Sequence, residues 1–502
     1  MFQVACPSCG AQVSFRSAAS VLAVCSYCQS TLLRDADSVR DIGKMGSVLE
    51  DWSPIQIGTS GVFQGLQFSV VGRLQLIYAE GYWNEWHLLL DDGSSAWLAD
   101  ASGQYSLTTK LDKAEAKLPD FNSITAGDKL LFNGADYIAA DIRTARCSGG
   151  EGELPFRANT GWEARVADFR SGHLFLTLDY SDAAVPTAYL GKRVTLHTLK
   201  CQNLRSTQQI SERAGKLPGS VGNLDCPNCG ASISYRAGIA QHLVCQSCHA
   251  EVSPDRNATT HSDKFEVLAK HDQLEARSTT LALGDTAQID KQPWTLIGLL
   301  ERKEIGNPDE SSSWVEYLLY NPDAGLRWIV ESMEGWDLVE VLDDWPSPNG
   351  ANTLKHRGLS FNKRYDYTAE VIWAAGAFNW RVKVGDRVTV RDYKNGQRIL
   401  SAERNREELT WSLAKRVPTQ SVMRWFGKAA QPEIASASAA QDNEDSGPFC
   451  RNAAIAFSAL ILILNAKVML NTEDGLMWPF IGLFALWYPV LKGKELFSGD
   501  ED

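Results

Sequence analysis

The chain has 502 residues, a net charge of −12 at pH 7 and 44% hydrophobic residues. This length is too great for a single hydrophobic core and predicts about three or four domains. The acidic balance argues against general binding to nucleic-acid phosphates, so nucleic acid is not the expected partner.

A cysteine pattern opens the chain within a predicted first domain, residues 1–35. Two Cys-x-x-Cys pairs are separated by 15 residues: Cys6, Cys9, Cys25 and Cys28. Two thiolates three positions apart can bind one metal ion from a tight knuckle, and a hairpin brings the second pair round to complete a tetrahedron. Gly10 follows the first pair, where the knuckle needs a residue that tolerates positive φ. The pattern therefore predicts a zinc ribbon.

The same pattern, with the same spacing, returns in the predicted domain 221–256. Its members are Cys226, Cys229, Cys245 and Cys248, and Gly230 corresponds to Gly10. Four thiolates close the coordination shell, so each site is expected to stabilise a fold and not to catalyse. The repetition favours two structural Zn²⁺ ions over disulfides or unligated thiols, with rubredoxin-like iron as the alternative. The other cysteines show no pairing pattern, which suits a reducing compartment.

Each ribbon precedes a predicted β module, residues 50–205 and 275–420. The modules share an order of short alternating strands, in which Glu85-Trp86 and Trp97 of the first copy correspond to Glu316-Tyr317 and Trp328 of the second. Later correspondences are Gly152 with Gly376, Gly161 with Gly385, and Asp168-Phe169 with Asp392-Tyr393. The predicted fold is mainly β: a tandem duplication of a zinc ribbon plus an antiparallel β-barrel or sandwich-like module.

This order of elements resembles the bacterial domain of unknown function 4178. The second copy matches best, through Glu316, Tyr317, Trp328, Gly376, Trp380, Gly385, Asp386 and Tyr393. The first copy departs by having Trp162 where the second has Asp386, and by a longer insertion between Ala101 and Tyr137. The family has no established activity. The resemblance implies gene neighbours that encode membrane-stress proteins similar to phage-shock protein A and polyamine-synthesis enzymes, which suits a membrane-tethered adaptor.

The carboxyl-terminal part predicts a membrane anchor. Residues 427–448 are rich in small and acidic residues and predict a flexible linker. Residues 449–491 contain two apolar segments and predict an α-helical transmembrane hairpin. Arg451 lies before the first apolar segment and Lys492 follows the second, so both ends and the bulk of the chain are expected on the cytoplasmic side of a bacterial inner membrane. Buried core helices or an interfacial hairpin are the alternatives.

No catalytic constellation emerges from the sequence. The eight histidines form no helical metal pair, and no phosphate-binding or nucleotide-binding glycine motif is present. His242 and His249 are predicted to be surface residues, because four cysteines already satisfy the second metal site. The acidic pairs at 91–92 and 343–344 adjoin turn-forming residues and predict turn roles. We therefore expect no catalytic residues, no cofactor-binding residues and no enzymatic activity.

The repeated glutamate-aromatic pair raises the possibility of a cation site. A carboxylate beside an aromatic face attracts organic cations. However, adjacent strand residues point to opposite faces, so Glu85 and Trp86 are not expected to line one pocket. Trp97, Trp328 and Trp380 are expected to fill module cores.

Together these features predict a non-enzymatic, membrane-anchored zinc-ribbon adaptor or scaffold. Its expected partners are a membrane protein or membrane-associated protein and the lipid bilayer, in envelope stress or membrane maintenance. One alternative is a sensor of a small, polyamine-like cation, and another is a nucleic-acid-binding ribbon protein. The duplication also predicts that the two halves pack as a pseudo-dimer.

Overall fold

The structure is a computed structural model. It describes residues 2–428 except 18–19, 36–37, 47–52, 80, 102, 112–117, 183–184, 207, 211–220, 237–241, 255–264, 271–276, 307–311 and 323. The chain divides into two compact units, Met1–Ala429 and Ala430–Asp502. The predicted hairpin 449–491 and nearly all of the predicted linker lie outside the described residues. Within the described part, no helix has the length and apolar character needed to cross a bilayer.

The first repeat begins with the small strands of its ribbon and continues into the module. The ribbon strands are β1 (Phe2–Ala5), β2 (Gln12–Phe15), β3 (Leu22–Val24), β4 (Ser30–Asp35) and β5 (Ser38–Lys44). The module strands are β6 (Ser60–Phe63), β7 (Leu66–Ile77), β8 (Tyr82–Leu90), β9 (Ser95–Ala101), β10 (Gln104–Lys110), β11 (Lys129–Phe132), β12 (Ala135–Leu154), β13 (Glu163–Ser171), β14 (Leu174–Asp179) and β15 (Thr187–Val194), with a 3-10 turn at Phe121–Ser123.

The second repeat follows the same plan and ends in a short helix. Its ribbon strands are β16 (Val221–Asp225), β17 (Ser232–Arg236), β18 (His242–Val244), β19 (Glu251–Pro254) and β20 (Phe265–Ala269). The module comprises β21 (Thr286–Ile289), β22 (Gln292–Ile305), β23 (Ser313–Asn321), β24 (Gly325–Ser332), β25 (Gly335–Val341), β26 (Ser347–Pro348), β27 (Thr353–His356), β28 (Leu359–Phe378), β29 (Arg387–Asn395), β30 (Arg398–Arg404), β31 (Leu409–Val417) and α1 (Thr419–Trp425).

Each module is a closed antiparallel barrel of eight strands. In barrel 1 the order around the ring is β7-β8-β9-β10-β15-β14-β13-β12, and pairing of β12 with β7 closes it. In barrel 2 the order is β22-β23-β24-β25-β31-β30-β29-β28, closed by β28 with β22. The expected β-rich duplication is confirmed, and the module is a barrel.

In each barrel, one pair of glycines allows the sheet to close. Gly72 of β7 pairs with Gly152 of β12, and Gly298 of β22 pairs with Gly376 of β28. A Cβ atom on Gly72 would lie 1.9 Å from the Glu153 carbonyl oxygen. Gly152 and Gly376 also adopt positive φ, 68° and 100°, which disfavours any residue with a side chain. Only glycine fits the point where the two strands approach.

The outer walls of the barrels are covered by apolar side chains from flanking segments. In barrel 1, Trp86 and Leu88 of β8 pack in a cluster that includes Leu199. In barrel 2, Tyr317 packs in a cluster that includes Val422 of α1. Trp86, Leu88 and Leu90 recur at every second position of β8 and belong to one cluster, as one side of a two-sided barrel wall requires. These side chains therefore face outward into a covered layer.

A single apolar cluster joins the two barrels. It combines Phe169 and Leu176 of barrel 1 with Tyr393 and Trp411 of barrel 2. The β30–β31 loop also reaches β12, where the Ile142 N–H donates to the Glu407 carbonyl at 2.9 Å. The two halves therefore pack as the pseudo-dimer that the duplication predicts.

Around this cluster, ion pairs connect the barrels. Arg143 Nη2 lies 2.9 Å from the Glu408 carboxylate, and Arg193 pairs with Asp343. The pair 343–344 lies in a bend, as its turn-forming neighbours predict, and Asp344 also pairs with Arg357. For the pair 91–92 the predicted turn role is confirmed, since the Asp92 carboxylate accepts the Ser94 N–H at 2.8 Å.

Truncation of the shared cluster should destabilise the paired barrels. Trp411 is 8% exposed within it, so Trp411→Ala is expected to cost about 3–5 kcal/mol of unfolding free energy. Urea denaturation of the full-length protein measures this. Tyr27→Ala is the matched control, because Tyr27 is 83% exposed and its loss should stay within about 0.5 kcal/mol. Equal effects of the two substitutions would contradict the interface.

Candidate metal centres and barrel lumens

Each ribbon gathers its four predicted cysteines into one cluster, with all thiol sulfurs within 4.8 Å of one another. In the first, Cys6 Sγ lies 3.7 Å from Cys28 Sγ, and Cys9 Sγ lies 3.7 Å from Cys25 Sγ. Thiolates at about 2.3 Å from a tetrahedral Zn²⁺ are about 3.8 Å apart, whereas a disulfide requires about 2 Å. The geometry fits a four-thiolate metal site and excludes disulfides within these sets.

The second cluster repeats these dimensions. Cys226 Sγ lies 3.7 Å from Cys248 Sγ, and Cys229 Sγ lies 3.8 Å from Cys245 Sγ. The knuckle glycines have the positive φ expected of them, 77° at Gly10 and 76° at Gly230. Both clusters could hold a metal ion, and the thiolate set suits a structural one.

Polar neighbours favour the thiolate form at one corner of each cluster. The Ser30 hydroxyl lowers the pKa of Cys28 to about 6. At Cys248, desolvation opposes ionisation, but the Asn228 side-chain amide, 3.4 Å from Sγ, helps to bring the pKa down to about 7. Desolvation raises the pKa of Cys245 to about 12. Ionisation of the whole set therefore requires the positive charge of a metal ion.

The prediction that His242 and His249 lie on the surface is wrong, because they are 1% and 2% exposed. His242 belongs to β18, which pairs with β28 of barrel 2. The His249 ring packs against Trp373 at 5.6 Å between centroids. Both histidines therefore lie where the ribbon meets the barrel wall, an arrangement that the local sequence does not reveal.

Strand pairing joins each ribbon to its barrel. In the first repeat, Val24 of β3 pairs with Gly152, and in the second, Val244 of β18 pairs with Gly376. Gly152 and Gly376 are the same glycines that pair across each barrel's closure. The metal cluster and the barrel therefore share one β-sheet.

The barrel interiors are apolar at one end and charged further along. Trp97 packs in the apolar cluster of barrel 1, and Trp328 and Trp380 pack in that of barrel 2, so these residues fill the interior as predicted. Beyond them, Glu85 and Glu316 do not share a face with Trp86 and Tyr317, which lie in the outer clusters. The separation expected from strand alternation is confirmed.

Sequence reasoning missed the tryptophans that do contact these glutamates. Trp83 Nε1 donates to Glu85 Oε1 at 2.8 Å, and Trp314 Nε1 donates to Glu316 Oε1 at 2.8 Å. Each tryptophan lies two residues before its glutamate, on the same face of the strand. The repeated Trp-x-Glu pattern was the available signal.

In barrel 2 an arginine crosses the lumen and neutralises this glutamate. Arg302 of β22 lies 3.3 Å from the Glu316 carboxylate and 2.6 Å from that of Glu403. Glu403 is on β30, separated from β22 around the ring by β28 and β29, so the guanidinium spans the interior. Desolvation raises the pKa of Glu316, and Arg302 opposes that effect.

In barrel 1 the corresponding glutamate has no such cation. Leu76 pairs with Trp83 as Arg302 pairs with Trp314, so Leu76 occupies the arginine position. Desolvation, helped by the charges of Asp168 and Asp179, raises the pKa of Glu85 to about 8. Glu85 nevertheless retains partial solvent accessibility.

A carboxyl–hydroxyl pair is shared by both lumens. The Thr177 hydroxyl donates to Asp168, and the Ser401 hydroxyl donates to Asp392 at 2.6 Å. Desolvation raises the pKa of both aspartates, that of Asp392 to about 6. The two lumens therefore share this pair and differ at the position of the bridging guanidinium.

The fold and the cysteine clusters define a duplicated β-barrel protein with two metal-binding ribbons. The chain belongs to the family described as domain of unknown function (DUF4178), whose model matches residues 56–196 and 282–419. This match confirms the resemblance and its two tandem copies.

Comparisons with individual proteins add nothing to this assignment. No curated protein is significantly similar to the sequence. A solved structure titled as the binding domain of botulinum neurotoxin DC in complex with SialylT is 8% identical, covering 81% of this chain and 96% of that one. Its TM-score of 0.09 carries no argument about fold or function.

Removal of two thiols should empty one metal site and leave the other. Replacement of Cys226 and Cys229 by serine is expected to reduce bound zinc from two equivalents to one and to expose the second ribbon to protease. Metal analysis and limited proteolysis of the purified protein measure both effects. Cys201→Ser is the control and should retain two equivalents, because Cys201 lies outside both clusters. Unchanged metal content in the double variant would contradict the assignment.

The buried carboxyl of Glu85 should make stability depend on pH. Its pKa is raised from 4.5 to about 8, so the folded protein holds a proton that the unfolded chain releases between these values. Stability should therefore fall as the pH rises through this interval, by an amount on the order of a few kcal/mol.

The change that isolates this effect is Glu85→Gln, compared with the parent protein by thermal unfolding from pH 5 to pH 8. The variant should be more stable than the parent at pH 8 and nearly equal to it at pH 5. Glu316→Gln is the matched control and should be destabilising at pH 8, because it removes a partner of buried Arg302. A Glu85→Gln protein that is less stable at pH 8 would contradict the prediction.

Proposed function

We propose that this protein is a non-enzymatic scaffold, anchored by its carboxyl-terminal hairpin to the cytoplasmic face of a bacterial inner membrane. In this proposal, two zinc ions stabilise ribbons that present a contact surface to a membrane protein or membrane-associated protein. A closed four-thiolate site has no open position for substrate, which favours a structural role for each metal.

The observation that carries the proposal is the direct pairing of the ribbons with the barrel walls. Through Val24 and Val244, each ribbon extends a barrel's sheet. A metal-braced knuckle on a closed barrel loses little conformational entropy when it binds a partner. The exposed tip of each ribbon is therefore suited to binding a partner.

The first ribbon offers a specific contact residue at that tip. Tyr27 lies between Cys25 and Cys28 and is 83% exposed. Tyrosine is enriched among the residues that dominate protein interfaces, because it buries a large area and can also form a hydrogen bond. The second ribbon has Ser247 at the equivalent position. The first ribbon is therefore the preferred docking side.

Nucleic-acid binding receives less support from the same region. The Arg34 guanidinium lies over the Phe2 and Phe15 rings, at 5.2 and 5.8 Å from their centroids. Arg236 donates to the Thr295 hydroxyl at 3.2 Å. These arginines contribute contacts within the fold and do not form an exposed basic patch, as phosphate binding would require.

A photo-crosslinking experiment tests the docking surface. A benzophenone amino acid at position 27 of the full-length protein, expressed in its native membrane, should crosslink to a defined membrane-associated protein. Position 247 is the matched control and should give at least about tenfold less product, because the second ribbon is not the preferred docking side. Equal yields from the two positions would contradict docking through the first ribbon.

The membrane anchor is tested separately by fractionation. The full chain should sediment with the inner membrane, and a chain truncated after Gly427 should remain in the supernatant. If both proteins are recovered in the supernatant, the anchor is wrong, whatever the crosslinking result.

A further inference from the structure

The strongest unexplained feature of the described residues is the charge difference between two otherwise equivalent lumens. In barrel 2, Glu316 and Glu403 are bridged by the guanidinium of Arg302. The strand register places Glu85 and Asp179 of barrel 1 at the same positions, since Asp179 pairs with Val166 as Glu403 pairs with Val390. Barrel 1 thus keeps both carboxylates and lacks the bridging guanidinium, while Asp179 accepts hydrogen bonds from the Ser181 N–H and hydroxyl.

Leu76 accounts for the missing charge. It pairs with Trp83 at the position of Arg302, and its short apolar side chain cannot reach across the lumen. Arg143 pairs with Asp141 at 2.8 Å and with Glu408 of the other barrel. The charge of Lys110 acts on Asp179, whereas the charges that act on Glu85 are those of aspartates. Burying the Glu85 carboxylate without a compensating cation is costly, and either protonation or a cationic ligand relieves that cost.

A second, independent observation points to a ligand with N–H groups. His87 lies two residues after Glu85 on the same face of β8, is 0% exposed, and has its Nδ1 3.0 Å from the Glu153 carbonyl oxygen. Because a carbonyl only accepts, Nδ1 carries the proton and Nε2 has a free lone pair. Nε2 has no hydrogen-bond partner among the described residues. A buried acceptor therefore lies on the same face of β8 as Glu85, whose carboxylate accepts a hydrogen bond from Trp83.

We propose that the lumen of barrel 1 binds an alkyl-chain organic cation, with a guanidinium or primary ammonium head group between Glu85 and Asp179. The head group takes the place that the Arg302 side chain fills in barrel 2. His87 Nε2 accepts a further N–H from the ligand, and the apolar end of the lumen around Trp97 contacts its alkyl part. In barrel 2 the Arg302 side chain itself occupies the corresponding position. This site does not depend on the scaffold role proposed above.

Calorimetric titration of the zinc-loaded full-length protein tests the site, with n-butylguanidinium and n-butylammonium as probes. The parent protein should bind one equivalent of at least one probe. Leu76→Arg should weaken binding at least about tenfold, because the new guanidinium fills the lumen as Arg302 does. Glu85→Gln should weaken it similarly, and Leu76→Met is the matched control that retains binding.

The reciprocal variant tests the same logic in barrel 2. Arg302→Leu should raise the stoichiometry of the probe from one to two, because it recreates the open lumen. Zinc content and a thermal unfolding curve establish that each variant is folded before it is titrated. A folded Arg302→Leu protein that still binds a single equivalent would count against the equivalence of the two lumens.

A proton readout separates lumen binding from adsorption to the acidic surface. Binding of a cation should displace the proton of the buried Glu85 carboxyl, so titration at pH 7 in buffers of different ionisation enthalpy should report proton release. Glu85→Gln should abolish that release. The proposal is overturned if the parent protein binds neither probe at up to about 10 mM, if Leu76→Arg binds unchanged, or if equimolar NaCl competes fully with the probes.

Discussion

The close approach of two glycines is the constraint on which each repeat depends. Gly72 and Gly152 meet where β7 pairs with β12, and a Cβ on Gly152 would lie 2.2 Å from the Val71 carbonyl oxygen. The same strand end then accepts β3 of the ribbon. This one point therefore fixes the closure of the barrel and the position of the ribbon on it. Gly298 and Gly376 do the same in the second repeat, so duplication has preserved this junction where it has changed much else.

The two barrels share a fold but differ in the charged groups of their interiors. A barrel wall that is packed on its outer side by flanking segments and by the other barrel does not need a fully apolar interior for its stability. Barrel 2 uses that freedom to place an arginine between two carboxylates, where the ion pairs offset part of the cost of desolvation. Barrel 1 keeps the carboxylates and replaces the arginine with Leu76. The same fold therefore supports one chamber with a cation beside its glutamate and one without it.

Much of this could be predicted from the sequence, and the exceptions have a common physical cause. The cysteine spacing gave both clusters, because a metal knuckle is a local structure, and the alternation of the strands separated Glu85 from Trp86. The pairing of β7 with β12 joins residues about 75 positions apart, and no local pattern encodes it. Arg302 could not be assigned to the lumen without that closure. His242 and His249 were misplaced for the same reason, since their burial depends on contact with a distant barrel wall.

Glu153 connects the ribbon of the first repeat to the barrel strand that carries Glu85. The Glu153 carbonyl oxygen lies 3.0 Å from Nδ1 of His87, and the Glu153 carboxylate accepts hydrogen bonds from the Arg16 N–H at 2.8 Å and the Ser20 hydroxyl at 2.7 Å. Glu153 is 4% exposed, so these bonds operate in a low dielectric, where the loss of any partner is costly. The second repeat has Ala377 at the position of Glu153 and Leu318 at that of His87, and neither side chain can form such bonds. Among the described residues, this polar connection between ribbon and barrel therefore belongs to the repeat in which Leu76 replaces the lumen arginine.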